Sequence, residues 1–323
     1  VKIVFSLTLL SVAAGGFVGT ACAQSVPGDS TVQAQWFTGT LETPSPALSK
    51  AGLVAVEPYV IYQINTGSYD TKGKHQAVAD DIRRTDSVTL IKYGISNRLT
   101  FQALPSFAHV SNAQASVTGV DDLPVELQYR FNDENNETGL PSVTASIGVS
   151  LPIGNYQRLS AGLDGLGSGA YTLTEQILLQ SLFDTPHHHP VRLRLYGTVL
   201  EPLRDVALHG QSVYGTGQGF AGHAAPGLAG NFGFGGGYSL TQRWVLALDL
   251  IQKFAHGSRI EGVEALGNAV NIQQFGNART GIAPAVEYNF SSHVGLIAGV
   301  ALSIFGRNVP SYYAPQIALT ASF

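Results

Sequence analysis

Leu123-Pro124-Val125-Glu126-Leu127-Gln128-Tyr129-Arg130-Phe131 alternates without a fault. Leu123, Val125, Leu127, Tyr129 and Phe131 fall on one side of an extended chain, and Pro124, Glu126, Gln128 and Arg130 on the other. Successive side chains of a β-strand point to opposite faces, so this stretch has one face fit for lipid and one fit for water. The split recurs in Val143, Ala145, Ile147, Val149 and Leu151 against Thr144, Ser146, Gly148 and Ser150, and in Val191, Leu193 and Leu195 against Arg192, Arg194 and Tyr196. It returns in Trp244, Leu246, Leu248 and Leu250 against Ala247, Asp249 and Lys253, and in Ile282, Pro284, Val286, Tyr288 and Phe290 against Glu287 and Asn289. Twelve such strands are predicted, beginning near Leu53, Val88, Leu99, Leu123, Val143, Tyr171, Val191, Asn231, Arg243, Thr280, Val294 and Tyr313. No helical stripe of comparable quality appears.

The connections between these strands alternate short and long. Short ones are 96–98, 132–140, 184–190, 240–242 and 291–293; long ones are roughly 66–85, 108–120, 155–169, 202–230, 255–278 and 307–311. Short periplasmic turns with longer outer loops mark an outer-membrane barrel. The expected fold is therefore all-β: a transmembrane up-and-down antiparallel β-barrel of about 12 strands, with short periplasmic turns and long extracellular loops. Aromatics fall beside the short turns (Tyr129, Phe131, Tyr238, Trp244, Tyr288, Phe290), where an interfacial girdle belongs. One strand resists: in 171–179 the apolar face includes Glu175, which predicts a bulge or a different register.

Composition agrees. Of 323 residues 12% are charged, against about 25% in soluble domains. Hydrophobic residues make up 44%, yet the only long unbroken apolar run lies at the start of the chain, so a bundle of membrane helices is excluded. One cysteine builds neither a disulfide framework nor a thiolate metal site, and a net charge of -4 argues against nucleic acid as a partner.

Lys2, the apolar run 3–18 and the small residues up to Ala21-Cys22-Ala23 read as an export signal cleaved after Ala23. The domain reading is a signal peptide over 1–23, a periplasmic arm or plug over 24–50, and the barrel over 51–323. At the other end Tyr313, Pro315, Ile317, Leu319, Ala321 and Phe323 alternate with smaller or polar residues. A last strand closing on Phe323 looks like the assembly signal of bacterial outer-membrane proteins. The expected surroundings are outer-membrane lipid and lipopolysaccharide, and the expected partners are the barrel assembly machinery and a small-molecule solute.

Several blocks occur in an order that resembles a known family. These are Leu41-Glu42-Thr43-Pro44-Ser45-Pro46, Val56-Glu57-Pro58-Tyr59, Lys92-Tyr93-Gly94-Ile95 and Glu126-Leu127-Gln128-Tyr129-Arg130-Phe131, then Leu151-Pro152-Ile153-Gly154, Asp164-Gly165-Leu166-Gly167-Ser168-Gly169 and Pro284-Ala285-Val286-Glu287-Tyr288-Asn289-Phe290. Together they are similar to the MetA-pathway of phenol degradation family of outer-membrane transporter-like barrels. The resemblance implies passive passage of a small, aromatic or hydrophobic solute; it carries over no catalytic residue, and no enzyme activity is expected.

Other motifs have plainer readings. Gly217-Gln218-Gly219-Phe220-Ala221-Gly222 matches a nucleotide-binding fingerprint, but that fingerprint works only between a strand and a helix. His187-His188-His189 sits in a short turn with no carboxylate or thiolate to complete a metal site, and Asn136-Glu137-Thr138 reads as a turn. Neither cofactor nor metal is expected. His256-Gly257-Ser258 resembles the His-x-Ser pair of outer-membrane lipid hydrolases, and carries the alternative of an enzyme using His256 and Ser258, although the Asn those enzymes place soon after the serine is replaced by Arg259-Ile260-Glu261. A purely structural or adhesive barrel is the other alternative.

In a channel the chemistry lies on the inward face. Parity puts Glu57, Lys92, Glu126, Arg130, Arg192, Arg194, Asp249, Lys253 and Glu287 there, four acids against five bases, with Gly233, Gly235 and Gly237 leaving open volume. The 24–50 segment, irregular and proline-bearing, either tucks into the periplasmic mouth or hangs free. The glycine-rich loop 202–230 either folds inward or moves freely.

Overall fold

The computed structural model describes residues 35–77, 82–135, 138–160, 162–185, 187 and 189–323. The export segment, the start of the 24–50 segment, Asn136, Glu137 and His188 lie outside these residues. Twelve staves run antiparallel to their neighbours: β1 (Val54–Tyr69), β2 (Arg83–Ser96), β3 (Leu99–Ala103, resumed as Ser106–Ser111) and β4 (Ser116–Val120, resumed as Leu123–Asn132). They continue with β5 (Ser142–Leu151), β6 (Thr172–Phe183), β7 (Val191–Pro202), β8 (Ala229–Ser239), β9 (Trp244–Ala255), β10 (Asn277–Asn289), β11 (Val294–Arg307) and β12 (Val309–Ser322). The sheet closes on itself because β1 pairs with β2 on one side (Val56 opposite Ile91) and with β12 on the other (Val60 opposite Ile317). Closure leaves no free edge in the membrane, where an unpaired peptide group would cost several kcal/mol.

All twelve predicted strands are present, and several reach further outward than expected: β2 begins at Arg83, β10 at Asn277 and β12 at Val309. Their outer ends carry Arg, Asp, Thr and Ser on both faces, so the alternation fades there while the hydrogen-bonded ladder continues. The 108–120 stretch is thus mostly strand, turning only around 112–115, where Asn112 Oδ1 accepts the Gln114 and Ala115 amides at 2.9 Å each.

The apolar positions Leu127, Tyr129, Leu195, Leu246, Leu248, Leu250, Val286, Ile317 and Leu319 face outward and are exposed, while their neighbours in sequence are buried. No described helix is long and apolar enough to cross a membrane; the crossing is made by strands. At the short-turn rim the girdle rings stack edge to face, Trp244 to Tyr288 at 4.7 Å, Tyr288 to Phe290 at 4.9 Å and Tyr129 to Phe131 at 5.2 Å. Phe323 ends the chain at this rim, its amide bonded to the Val54 carbonyl at 3.0 Å.

The expected irregularity at Glu175 is absent. The ladders of β6 with β5 and β7 run unbroken, and Glu175 faces outward opposite Ile147 and Val199. A slip that hid Glu175 would expose Thr174 and Gln176, both buried, and would break the 2.8 Å bond from Gln176 Nε2 to Thr198 Oγ1. Register shifts occur elsewhere, at Asn65/Gly67, Gly94/Ser96, Arg130/Asn132 and Thr280/Gly281.

Loop 202–230 does not hang free. Its strands Val206–His209 and Ala221–Ala225 join Arg259–Val263 and Ala269–Gln273 from the next outer loop in a separate four-stranded sheet. Leu208, Phe220, Ala224 and Ile260 form the core of this cap with Leu159 and Tyr214. The nucleotide-like fingerprint belongs here: a Cβ on Gly222 would collide with the Glu261 carbonyl oxygen, so glycine permits the close approach of the two strands. Burial pushes the Tyr214 phenol well above its ordinary value, and its hydroxyl donates to the Ser168 carbonyl at 2.7 Å. The loop after β5 folds over the barrel mouth, where Leu163 and Leu166 pack on Ala108 and Val110 of β3. Asp122 anchors that loop by accepting the Gly154 amide at 3.0 Å, the Ser168 amide at 2.7 Å and the Ser168 hydroxyl at 2.6 Å.

Candidate functional site

Residues 35–50 make a few local side-chain bonds, such as Thr40 Oγ1 to the Thr43 carbonyl at 3.2 Å and the Ala47 amide to Ser45 Oγ at 3.1 Å, but no regular backbone ladder. Pro44 and Pro46 lack amide donors and hold the residues before them extended, so the segment makes neither helix nor ladder and its peptide groups must find partners elsewhere. The partners are inward side chains of the barrel. Asp249 on β9 accepts the Glu42 amide at 3.1 Å and the Thr43 amide at 3.3 Å, and Glu287 on β10 accepts the Thr38 amide at 2.6 Å. From the opposite wall Arg130 Nη2 donates to the Pro46 carbonyl at 2.7 Å and Lys92 Nζ to the Ala47 carbonyl at 2.8 Å. Leu41 is fully buried among Tyr59, Ala247, Ala285 and Ile297, a contact that stabilises the seat by about 2 kcal/mol.

These contacts trace a loop. Ala51 bonds Asn97 in the β2–β3 turn at 3.3 Å, Glu42 reaches Lys253 at 3.2 Å midway up the barrel, and Gln35 Nε2 is back at the short-turn rim, 3.1 Å from the Thr241 carbonyl. The segment enters from the periplasmic mouth, turns at Glu42 and returns to the same mouth.

Of the inward residues read from parity, Lys92, Arg130, Arg192, Asp249, Lys253 and Glu287 meet this loop, and Glu57, Glu126 and Arg194 bond other side chains of the wall. Arg192 Nη2 meets Glu287 Oε1 at 3.1 Å, both side chains almost wholly buried, and the Arg192 guanidinium lies 4.4 Å from the Phe37 ring centroid. Arg194 Nε donates to Gln180 Oε1 at 2.9 Å. Glu57 accepts the Tyr59 hydroxyl, and Glu126 accepts Ser146 at 2.5 Å and Gln102 at 2.8 Å. Lys253 alone of the nine keeps a partly exposed side chain. The three glycines do not leave open volume. An added Cβ on Gly235 would lie 2.9 Å from Thr43 Cβ, one on Gly237 3.5 Å from the Phe37 ring, and one on Gly233 2.7 Å from the Tyr196 ring. The space left by their missing side chains is filled by the loop and by Tyr196.

Beyond the Glu42 apex, toward the extracellular end, the lumen opens into a chamber. Ile61, Val88 and Leu104 supply apolar wall, Lys253, Arg279 and Tyr312 one charged side, and Arg84, Asp86 and Asp121 the other. Arg84 is shared between two carboxylates, Nε to Asp86 at 2.8 Å and Nη2 to Asp121 at 2.8 Å. Arg279 lies 4.6 Å from the Tyr312 ring centroid. Parity alone singled out none of Arg84, Asp86, Arg279 and Tyr312. Arg84 and Asp86 share the parity of Lys92, and Arg279 that of Glu287, so carrying the pattern past the apolar midsection reaches them.

The motifs outside the lumen are dispersed. His256 is exposed and Ser258 is buried, and among the described residues no hydrogen bond joins them. His189 Nδ1 contacts the Ser239 carbonyl at 2.8 Å in its turn. No group of three potential metal ligands converges among the described residues.

The sequence matches no known family profile and no curated protein. Among solved structures, an outer membrane channel from Pseudomonas putida F1 superposes with a TM-score of 0.61 at 17% identity, over 93% of this chain and 100% of its own. A deletion mutant of the TodX monoaromatic hydrocarbon channel aligns over 95% of this chain and 99% of its own, with a TM-score of 0.47 and 10% identity. The first likeness is one of fold, and it agrees with the closed wall and apolar belt: the chain is an outer-membrane β-barrel.

Proposed function

We propose that this barrel is a passive outer-membrane channel for a small apolar or aromatic solute, with residues 35–50 as the element that restricts its lumen. The observation that carries this reading is the chamber above Glu42: inside a membrane wall, an apolar surface of Ile61, Val88, Leu104, Pro124 and Ala314 lies between charged groups that can orient a small solute. The ordered blocks that resemble the MetA-pathway of phenol degradation family support the same solute class, and the outer membrane channel whose fold it shares supports the channel role. A solute held in the chamber reaches the periplasm when the loop shifts, because Leu41 and Thr43 fill the lumen below.

The test is passage through a defined bilayer. Proteoliposomes holding the full chain should take up phenol faster than empty liposomes, and deletion of 35–50 should raise ionic conductance by an order of magnitude or more. Uptake at the rate of empty liposomes, together with a deletion variant that inserts but does not conduct, would remove the channel reading.

A further inference from the structure

Lys253 and Arg279 stand directly opposite each other on β9 and β10, both facing the lumen. Like charges in that relation are unfavourable unless an anion lies between or above them. The wall supplies none: among the described residues no carboxylate forms an ion pair with Arg279, and Lys253 is met only by Glu42, at 3.2 Å, from the apex of the inserted loop. Glu42 is also held by Gln316 Nε2 at 3.2 Å. Two wall cations thus share one carboxylate that belongs to the movable element. The Arg279 guanidinium sits 4.6 Å from the Tyr312 ring centroid and lines the chamber, and a guanidinium is the group best suited to bind a carboxylate in a two-pronged fashion.

The opposite side has the reverse balance. One guanidinium, Arg84, answers both Asp86 and Asp121, and Asp122 beside them is a further carboxylate satisfied by amides and a hydroxyl rather than by a cation. Between the two sides run Ile61, Val88 and Leu104. The chamber therefore offers a cationic side with one carboxylate for two cations, an apolar middle and a far side that repels a second negative charge.

From this arrangement we infer that the chamber binds a monocarboxylate with an aromatic or short aliphatic body, its carboxylate on Arg279 and Lys253 and its body across Ile61, Val88 and Leu104. The inference rests on the channel reading and narrows its solute. Because Lys253 also holds Glu42, the solute carboxylate competes with the apex of the loop, and its arrival loosens the element that blocks the way inward. A dicarboxylate of similar length is rejected, because its second charge meets Asp86, Asp121 and Asp122.

Calorimetric titration of the full-length protein in detergent with benzoate, phenol and terephthalate tests this without requiring transport. Benzoate should bind at least about tenfold more tightly than phenol or terephthalate, and Arg279→Gln should remove most of that advantage, the scale of one charge-assisted contact. Glu42→Gln should act in the opposite direction and tighten benzoate several-fold, a response that general damage to the fold does not produce. Benzoate bound equally by wild type and Arg279→Gln, terephthalate bound as well as benzoate, no benzoate binding at all, or a weaker Glu42→Gln would each overturn the assignment. A protein that conducts but does not bind benzoate loses this site and keeps the channel; one that binds benzoate but never conducts does the reverse.

Discussion

Arg192 shows how far a residue's role depends on what stands opposite it. Its parity marks it as inward, and a pair of arginines at Arg192 and Arg194 on a bare lumen wall reads as a selectivity device. In the folded chain Arg192 is instead sealed between Glu287 and the Phe37 ring, and Arg194 is turned to Gln180. Breaking a buried ion pair strands the remaining charge, which costs about 3 to 5 kcal/mol, so Arg192→Glu, which sets two carboxylates together, is expected to lower the urea midpoint of the folded band on gels by at least that equivalent. An unchanged midpoint would mean that water reaches the pair. Glu175 makes the complementary case on the outer face. A carboxylate against lipid is tolerated at less cost than Arg or Lys, and Glu175→Leu is expected to stabilise the barrel by about 1 kcal/mol in the same assay, whereas a loss would mean that the carboxylate has an outside partner.

At the scale of elements, the staves were legible and the inserted loop was only half so. Each stave alternates over its membrane midsection because one side meets lipid and the other does not, and that contrast lies in the residues themselves. The outer halves of β2 and β10 lack the contrast, and the break at Asp121-Asp122 resets the parity within β4, which is why Arg84, Asp86, Asp121 and Arg279 escaped notice. For 35–50 the prolines exclude regular structure, but its course depends on partners far along the chain, from Lys92, 45 residues beyond Ala47, to Asp249, 207 residues beyond Glu42. No local pattern encodes that pairing. The glycines of β8 were the available signal, and their meaning was reversed: they admit a second chain rather than leave a passage. Gly235→Val is therefore expected to push Thr43 off the wall and to raise single-channel conductance several-fold while the barrel still assembles. Conductance equal to wild type would show that the loop does not govern the lumen.

For the whole molecule, the seam between β1 and β12 makes the wall one continuous hydrogen-bonded ring, a form expected to resist detergent until heated. An unheated sample is expected to migrate faster on a gel than a boiled one, and identical migration would contradict closure. The inserted loop hangs from this ring in a particular way: it goes in at Ala51 and comes out at Gln35 on the same rim. A chain that passed through the barrel from end to end would be a thread, removable only by drawing a free end along the whole bore. A chain that dips in and returns is a cork. It can be withdrawn or reseated by bending two short stretches at the rim with the wall intact, so open and shut differ by a local rearrangement and not by topology.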